Sequence, residues 1–499
     1  MNNSHKQDDI SLNLPKSPDN LEDKNILFSK IFALFVFVFS FYVYASTAQC
    51  TTSFWDCGEF ISTSYILGVP HPPGAPLMNL LYRLAGILPL PGTVAFKINL
   101  ASGFFNALGI GVLFLIIVKV LKTWFVKIRD ISDIAIIQAG GIVGSLLAAF
   151  GITYWTNGIE AEVYGPAMFC INLIVYLSLL WSEHHGNPKS DRYLVLISLI
   201  MYLAISIHLT VLIILPAIFL FIIIVDKEKR FSLVFWLTWF ALFSIAIGLN
   251  FFIVTVSIML LVSAVAAFIT RKKEWVIAFA CLLMAGLGFS VNSYTIIRSK
   301  ADPAIDENDP ETIASFTDYI DRKQYGQQSM WTRMFTRRAE WKNQFGTHRR
   351  MGFWGFYWTQ YTRTPKESLY GILPFLLALF GIIMAVKKRF SWGALLLMVV
   401  VISTLGLIIY INFADGTMQG KLGSDSAHLE VRDRDYFFTP GYMFLSMFTG
   451  IGLAALLFIF NELRRKAKMW QGFTIILAVV FCLLPSIPLK AHWYVCDRS

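Results

Sequence analysis

The chain has 499 residues, of which 56% are hydrophobic and only 15% are charged, whereas a soluble domain averages about a quarter charged residues. Apolar runs of about 20 residues recur along it, and each is long enough to cross a hydrocarbon core about 30 Å thick. This composition excludes a soluble globular protein and predicts an all-α polytopic membrane protein. The formal net charge of +10 is explained by basic clusters at helix ends, so nucleic acid is not expected as a partner.

The polar N-terminus precedes a transmembrane domain. Residues 1–25 contain no apolar core and are predicted to be a disordered cytoplasmic tail, and residues 26–489 are predicted to form the membrane domain. The apolar run at 26–45 is too long for a signal-peptide core and lacks a convincing cleavage site. About thirteen spans are predicted from the apolar runs, at 26–45, 96–121, 134–155, 163–181, 193–207, 209–225, 231–249, 251–269, 275–296, 369–386, 391–413, 439–460 and 472–489.

The basic residues indicate how the spans are oriented. With a cytoplasmic N-terminus, every short basic cluster falls on the cytoplasmic side, as the positive-inside rule requires; examples are 226–230, 271–273 and 387–389. We therefore predict a multi-pass protein of the plasma (inner) membrane with its C-terminus outside. The outer side then receives residues 47–95, 157–166, 298–368 and 414–438, and a C-terminal stub at 490–499.

The first outer loop contains the most unusual stretch, FWDCGEFISTSYILGVPHPPGAP at 54–76. Asp56 and Glu59 are three residues apart and share one face if the segment is helical, and His71 opens a rigid Pro-Pro-Gly turn. We predict short interfacial helices in this loop, one of which presents the carboxylate pair at the membrane surface. Such a pair suits a catalytic base that works on a lipid-anchored substrate; the alternative is that both acids merely cap and solubilise an interfacial helix.

Three more polar residues stand beside spans on the same side. Glu160 and Glu162 either face the same cavity as Asp56 or simply mark the membrane interface, where Tyr and Trp are also frequent. His208 lies between two apolar runs. A lone histidine there is commonly a hydrogen-bonded packing residue, but an ionisable group at membrane depth favours a functional role.

Two arginines precede the twelfth span, in the segment EVRDRDYFF at 430–438. Arg432 and Arg434 offer planar, bidentate donors of the kind that a phosphate group requires; the alternative is a solvated loop whose charges satisfy one another. In the 298–368 loop, arginine and tryptophan residues alternate, which favours an interfacial segment on anionic lipid or an acceptor-binding lid. No GxxxxGK[ST], strand-linked GxGxxG or HExxH motif occurs, which argues against an ATPase, a dinucleotide enzyme or a zinc protease.

With these residues the chain resembles the transmembrane protein O-mannosyltransferases, polytopic GT-C glycosyltransferases whose bacterial members are catalogued as a domain of unknown function. The first stretch, an acid-x-Gly-Glu followed by a His-Pro-Pro-Gly turn, is the specific one. The supporting stretches are Ala161-Glu162-Val163-Tyr164, His208-Leu209-Thr210 and Arg432-Asp433-Arg434-Asp435-Tyr436-Phe437. Together they span residues 30–440.

The resemblance implies a GT-C-like fold, a polyprenyl-phosphate-linked sugar (mannose in this family) as donor and a protein Ser/Thr hydroxyl as acceptor at the outer face. It assigns Asp56 as the catalytic acid of the family, with Glu59 beside it; the chain has DCGE where the family often has DSGE. Because bacterial relatives continue past a DRS-like sequence into an outer soluble region, residues 497–499 are expected to lie inside a longer protein or to precede a separately encoded part.

The prediction from the sequence is therefore inverting sugar transfer with Asp56 as general base and with Arg432 and Arg434 stabilising the lipid phosphate. Six residues are expected to bind substrates, namely His71, Glu160, Glu162, His208, Arg432 and Arg434. A divalent metal is an optional cofactor with no ligands assigned. The partners are the lipid-linked sugar, an exported acceptor protein and the bilayer. The alternative is a secondary transporter or flippase for a lipid-linked sugar, whose charges would line a path between the two faces.

Overall fold

The computed structural model describes residues 21–125, 127–187, 189–326, 330–362, 369–417 and 429–499, and no strand is present among them. The helices are numbered in chain order. They are α1 Leu21–Ser46, α2 Asp56–Ile66, α3 Pro76–Ile87, α4 Val94–Lys122, α5 Ile131–Ala149, α6 Ile152–Gly158, α7 Tyr164–Glu183, α8 Arg192–Ile205, α9 Leu215–Val225, α10 Leu233–Phe243, α11 Leu249–Thr270, α12 Lys273–Phe289, α13 Ser293–Ser299, α14 Ile313–Ile320, α15 Met330–Phe335, α16 Trp341–Phe345, α17 Phe353–Thr359, α18 Leu369–Lys388, α19 Phe390–Val401, α20 Leu407–Ile411, α21 Thr439–Lys466, α22 Gly472–Phe481 and α23 Ser486–Cys496.

Ten helical segments in the described part of the chain are long and apolar enough to cross a membrane. They are Leu21–Ser46, Val94–Lys122, Ile131–Ala149, Tyr164–Glu183, Leu249–Thr270, Lys273–Ser299, Gly371–Lys388, Phe390–Ile411, Asp435–Lys466 and Gly472–Cys496. Most of α4, α5, α7 and α21 is buried inside the protein, whereas less than a quarter of the most apolar window of α1, α11 and α18 is buried. Apolar surface of this extent is stable only against lipid. The protein is therefore an all-helical, multi-pass membrane protein, as predicted.

The predicted spans all fall on helices, and the helices differ from the predicted spans in length. Three of the thirteen, between residues 192 and 246, are helices shorter than the ten above. A 3-10 helix at Leu209–Ile214 interrupts this region. The predicted span at 134–155 is broken after Ala149, and α6 begins at Ile152.

Both ends of the predicted membrane domain also differ from the helices. The first helix begins at Leu21, before the predicted start at 26, and α23 runs through the predicted boundary at 489 as far as Cys496. Residues 1–20 of the predicted tail lie outside the described residues. So do residues 327–329 and 363–368 of the large loop and residues 418–428 of the segment that precedes the arginines.

The first loop folds into the two short helices that its sequence predicts. Because Asp56 and Glu59 occupy the first turn of α2, their negative charges face the positive end of the helix dipole. Pro76 stands at the start of α3, where a missing amide hydrogen has no cost. Between the helices, Gly74 has a φ of +71°, and a Cβ there would lie 2.7 Å from the hydroxyl oxygen of Tyr319. Only glycine fits this turn.

The segments predicted to share the outer side lie together. The Val69 amide donates to the Ile305 carbonyl at 2.9 Å, and the Tyr319 hydroxyl donates to the Pro70 carbonyl. Further along the chain, Arg350 donates to the Glu430 carbonyl at 3.0 Å. These contacts join the first loop, the 298–368 loop and the segment before α21 at one end of the helix bundle, which is where the candidate site is assembled.

Candidate functional site

The centre of the site is an ion pair between Asp56 and Arg432. Arg432 Nη2 lies 3.1 Å from Asp56 Oδ2, and their side chains are 21% and 38% exposed. The two residues are 376 positions apart in the chain. An acid that the first loop presents thus meets a cation from the segment that leads into α21, at a place open to ligands.

Aromatic rings hold the Arg432 guanidinium on both sides. Its central carbon lies 4.9 Å from the centre of the Trp55 ring and 4.8 Å from that of Tyr436, distances typical of cation–π contacts. Trp55 has a φ of 68° and a ψ of −139°, a combination that is costly for a bulky residue. The strained backbone of Trp55 therefore lies where its ring contacts Arg432 and where Asp56 begins α2.

The second arginine has other partners. Arg434 lies 3.0 Å from the carboxylate of Glu430 and donates to the Tyr436 hydroxyl at 2.6 Å. It makes no contact with Asp56 among the described residues. Tyr436 links the two arginines, since Arg432 stacks on its ring and Arg434 binds its oxygen. The two cations thus flank one aromatic side chain and do not form a symmetric clamp around the acid.

Glu59 holds the turn that follows α2. Its carboxylate accepts from the backbone amide of His71 at 2.6 Å and lies 2.7 Å from Nδ1 of the same residue. Burial by itself lowers the pKa of His71, but the hydrogen bond and the charge of Glu59 outweigh it and leave that pKa above the usual value. His71 is therefore protonated more readily than a free imidazole, and its bonds to Glu59 tie α2 to the His-Pro-Pro-Gly turn.

Glu160 and Glu162 lie on either side of the Cys57 thiol, behind Asp56. The sulfur is 3.2 Å from Glu160 Oε2 and 3.7 Å from Glu162 Oε1. Burial raises the pKa of Glu162 to about 7, and the nearby charge of Asp56 contributes. The pKa of the Cys57 thiol is raised by burial and by Glu162. Because Cys57 and Glu162 are both poorly hydrated, Cys57 stays a neutral thiol and Glu162 binds a proton near neutral pH.

His208 performs a structural task and also borders the site. Its Nδ1 accepts from the amide of Thr210 at 3.2 Å and lies 2.6 Å from the hydroxyl oxygen of that residue, so His208 caps the 3-10 helix that follows. Burial lowers its pKa to about 3, which makes the ring neutral. The ring contacts Tyr164 with centroids 4.6 Å apart, and Tyr164 contacts Tyr436 at 5.1 Å.

The eight residues that the sequence singles out therefore lie in one region, but only Asp56 with Arg432 and Glu59 with His71 pair with each other. Trp55 and Tyr436, which complete the surroundings of Arg432, are not among the eight, although both adjoin predicted site residues in the sequence. A signal for Tyr436 was present, because an aromatic residue that follows closely spaced arginines offers a stacking face. In the part of the chain that the structure describes, no three His, Cys, Asp or Glu side chains are grouped as metal ligands, so no metal site is assigned.

Fold and site together define a multi-pass membrane protein with a site of one acid, two arginines and aromatic rings at one end of its helix bundle. Comparisons with known proteins agree with the resemblance seen in the sequence. Residues 56–232 match the family model described as "Protein O-mannosyl-transferase TMEM260 N-terminal domain". This range begins at Asp56 and includes six of the eight predicted site residues. The resemblance to transmembrane protein O-mannosyltransferases is thereby confirmed for this segment.

Two relatives carry the same name. Protein O-mannosyl-transferase TMEM260 of Mus musculus is 29% identical over 187 residues, which are 37% of this chain and 24% of the mouse protein. The Dictyostelium discoideum protein of that name is 24% identical over 154 residues, which are 30% of this chain and 17% of the relative. The chain thus matches about a quarter or less of the length of these relatives.

Two solved structures show a distant likeness over most of the chain. The Archaeoglobus fulgidus oligosaccharyltransferase in the apo form has a TM-score of 0.47 and 13% identity and covers 94% of this chain and 56% of its own. ArnT from Cupriavidus metallidurans, bound to undecaprenyl phosphate, has a TM-score of 0.47 and 10% identity and covers 94% and 75%. Scores and identities this low do not indicate the substrate or the reaction of this chain.

Proposed function

We propose that this protein is a membrane glycosyltransferase of GT-C type that transfers a sugar, mannose by the name of its relatives, from a polyprenyl-phosphate donor to Ser/Thr hydroxyls of exported proteins. The observation that carries the proposal is the pairing of Asp56 with Arg432 at a partly exposed place between aromatic rings. Sugar transfer from a lipid phosphate requires a base beside an anion-binding cation, and this pair supplies both.

The proposed reaction is a single displacement with inversion. The acceptor hydroxyl oxygen forms a bond to the anomeric carbon as the bond from that carbon to the phosphate oxygen breaks. Asp56 takes the hydroxyl proton as general base. The electrons of the broken bond leave on the phosphate, whose charge Arg432 stabilises.

The ion pair also sets an order of events. Without substrate, Arg432 is bound to Asp56 and the base is occupied. The donor is a phosphodiester with one negative charge, like a carboxylate, and when its two unesterified oxygens bind the guanidinium, Asp56 becomes free for the acceptor. Arg434 reaches the same phosphate from the far side of Tyr436, since both arginines contact that residue.

The remaining acids and rings orient the substrates. Glu59 and His71 fix α2 and hence the direction of Asp56. The line of rings from Trp55 through Tyr436 and Tyr164 offers flat apolar faces to a sugar or to the first isoprene units. Glu160, Glu162 and His208 border this space and are proposed to contact acceptor or sugar hydroxyls.

The test is a transfer reaction with the purified chain in lipid nanodiscs, polyprenyl-phosphate mannose and a Ser/Thr-rich peptide from an exported protein, with products detected by mass spectrometry. We expect a hexose on the peptide with the unaltered protein and almost none with Asp56→Asn. The matched control is Asp130→Asn at the opposite end of the bundle, where activity should persist. Peptide modification that is equal in all three proteins would disprove the assignment of Asp56.

The outer location is proposed from the basic clusters and needs its own test. Ala314 and Ala467 are both exposed and lie at opposite ends of the bundle, on α14 and just after α21. Single cysteines at these positions, in a cysteine-depleted background, are treated with an impermeant maleimide in intact spheroplasts. Labelling of Ala314→Cys but not of Ala467→Cys is expected, and the opposite pattern would place the site in the cytoplasm.

A further inference from the structure

A basic residue near the end of the sequence, Arg498, reaches Glu160, one of the two glutamates behind Asp56. The Arg498 guanidinium forms an ion pair with the carboxylate of Glu160, and their side chains are 33% and 12% exposed. The two residues are far apart in the chain, and nothing in the local sequence of Arg498 links it to a site. Glu160 in turn contacts the Cys57 thiol of α2 at 3.2 Å.

The position of Arg498 is fixed by several contacts of the last helix. His492 Nδ1 lies 2.7 Å from the Phe150 carbonyl, and Trp493 packs edge-on against Trp155 of α6 at 5.9 Å. After α23 ends, the Arg498 amide donates to the Thr47 carbonyl at 3.2 Å. Because α6 leads directly into the Glu160 turn, the same packing that anchors the last helix also aligns Arg498 with its partner.

A short turn directs the guanidinium inward. The Asp497 carboxylate accepts from the Ser499 amide at 3.3 Å and from its hydroxyl at 2.9 Å. The Asp497 amide donates to the Trp493 carbonyl at 2.8 Å, which is the last hydrogen bond of α23. These bonds fold the backbone around Arg498, so the side chain leaves the turn on the side of Thr47 and Glu160.

The charges around the site then show a simple division. Asp56 is paired with Arg432, Glu59 with His71 and Glu160 with Arg498. Glu162 has no cation within ion-pair distance among the described residues. The charged and titratable groups that influence Glu162 are Asp56, Cys57, Tyr82, Tyr164 and Arg432. Glu160, with its partner Arg498, contacts the same Cys57 thiol.

We infer that Arg498 is a positioning residue of the transfer site: its guanidinium keeps Glu160 ionised and in place, so that the proton shared by the two glutamates stays on Glu162. This inference rests on the proposed function. Two carboxylates close to one thiol would otherwise compete for one proton. With Arg498 present, Glu160 is an acceptor and Glu162 is a carboxylic acid that donates a hydrogen bond toward the substrate space. The burial that raises the pKa of Glu162 to about 7 acts in the same direction.

The test compares three variants of the full chain: Arg498→Met, which keeps length and removes charge; Arg498→Lys, which keeps charge; and Lys490→Met, which removes an exposed cation from the preceding helix, α23. The first readout is the pH dependence of the transfer rate. Removal of a cation raises the apparent pKa of the glutamate pair, so the transition in Arg498→Met should move upward by at least about half a pH unit. Arg498→Lys should restore most of the original profile, and Lys490→Met should not alter it.

The second readout is the thermal unfolding temperature in detergent, which needs no substrate. Without Arg498, Glu160 is neutral at low pH and an unpaired buried charge at high pH, so the deficit of Arg498→Met against the unaltered protein should be larger near pH 8 than near pH 6. Equal deficits at both pH values would reduce Arg498 to a structural contact and overturn the inference. Absence of transfer in every protein, with the pH-dependent deficit retained, would reject the proposed reaction and keep the Arg498–Glu160 pair.

Discussion

The two ends of the helix bundle both concentrate charge, but they use it differently. At one end, in the first turn of α5, Asp133 is fully buried, and its carboxylate accepts from Arg465, Asn461 and the Arg129 amide at 2.8, 3.1 and 2.9 Å. At the other end Asp56 is 38% exposed and makes one described ion pair, with Arg432. α21 joins the two ends, and its 28 residues span about 42 Å.

The comparison teaches that charge density alone does not mark a site. Asp133 is fully buried and accepts three hydrogen bonds from protein donors, so it stabilises the fold and is not accessible to a ligand. Asp56 and Arg432 keep hydrogen-bonding capacity and accessible surface, and aromatic rings border them. Unsaturated, partly exposed groups can change partners, which is what catalysis requires.

The largest expected effect is on catalysis at the site end. Asp56→Asn keeps the size of the side chain but removes the proton acceptor, so transfer should fall by about 10²- to 10⁴-fold. Glu59→Gln should be impaired less, because Glu59 acts through His71. Initial rates at saturating donor, with equal amounts of folded protein confirmed by gel filtration, provide the measurement. A Glu59→Gln defect as deep as that of Asp56→Asn would make Glu59 the base.

The next effect is on stability at the opposite end. Asp133→Ala removes the buried acceptor of Asn461 and the Arg129 amide, while Arg465 keeps Asp130 and Glu462. Because two buried donors lose their acceptor, the free energy of unfolding should fall by about 1–3 kcal/mol. Asp56→Ala, which breaks a partly exposed pair, should cost about 1 kcal/mol or less. Unfolding in mixed detergent measures both. A larger loss for Asp56→Ala would mean that the site end also carries structural charge and would remove the contrast.

The identity of the cation is expected to matter at one end only. Arg432→Lys keeps the charge but loses the planar group that stacks between Trp55 and Tyr436, and we expect donor use to weaken by about ten- to a hundredfold. The matched change is Arg129→Lys, whose partner is Glu462 and whose side chain is 47% exposed; it should be nearly neutral. The measurement is the KM for the donor in both variants. Similar KM values in Arg432→Lys and Arg129→Lys would mean that Arg432 only stabilises the loop and does not bind the donor.

A smaller effect follows from competition for Arg432. If Asp56 and the donor phosphate share this arginine, Asp56→Asn should bind the phosphate more tightly, by about two- to fivefold, since a partly exposed ion pair no longer opposes it. Undecaprenyl phosphate is a suitable probe, and its binding is followed by intrinsic tryptophan fluorescence. Affinity that is unchanged or weaker in Asp56→Asn would show that the acid does not compete for the cation.

The smallest effect is the pH dependence of the Glu59–His71 pair. Because the pKa of His71 is raised in the folded protein, the stabilisation is fully present below the unfolded pKa of about 6.5 and is lost as the pH rises through the folded pKa. For a partly exposed pair it amounts to about 0.2–1 kcal/mol. His71→Gln should flatten this part of the stability profile, and a profile identical to that of the unaltered protein would mean that His71 is neutral throughout.

Periodicity and local chemistry were sufficient to predict the helices of the first loop. Asp56 and Glu59 sit in the first turn of α2, Pro76 starts α3, and each signal depends on neighbours within four residues. The same signals could not predict that His208 caps the following 3-10 helix, because a histidine cap and a histidine ligand look alike in sequence. The geometry of Nδ1 against Thr210 distinguishes them.

The sequence by itself determined the membrane class, the approximate spans and the presence of acids, arginines and a rigid turn near one end. These properties follow from hydrogen bonds and burial patterns that are local along the chain. Only the tertiary structure decided which acid meets which cation across the chain: Arg432 with Asp56, and Arg498 with Glu160. Such pairs depend on how α6, α21 and α23 pack against the first loop, and packing between distant segments is set by side-chain shape and not by spacing along the chain.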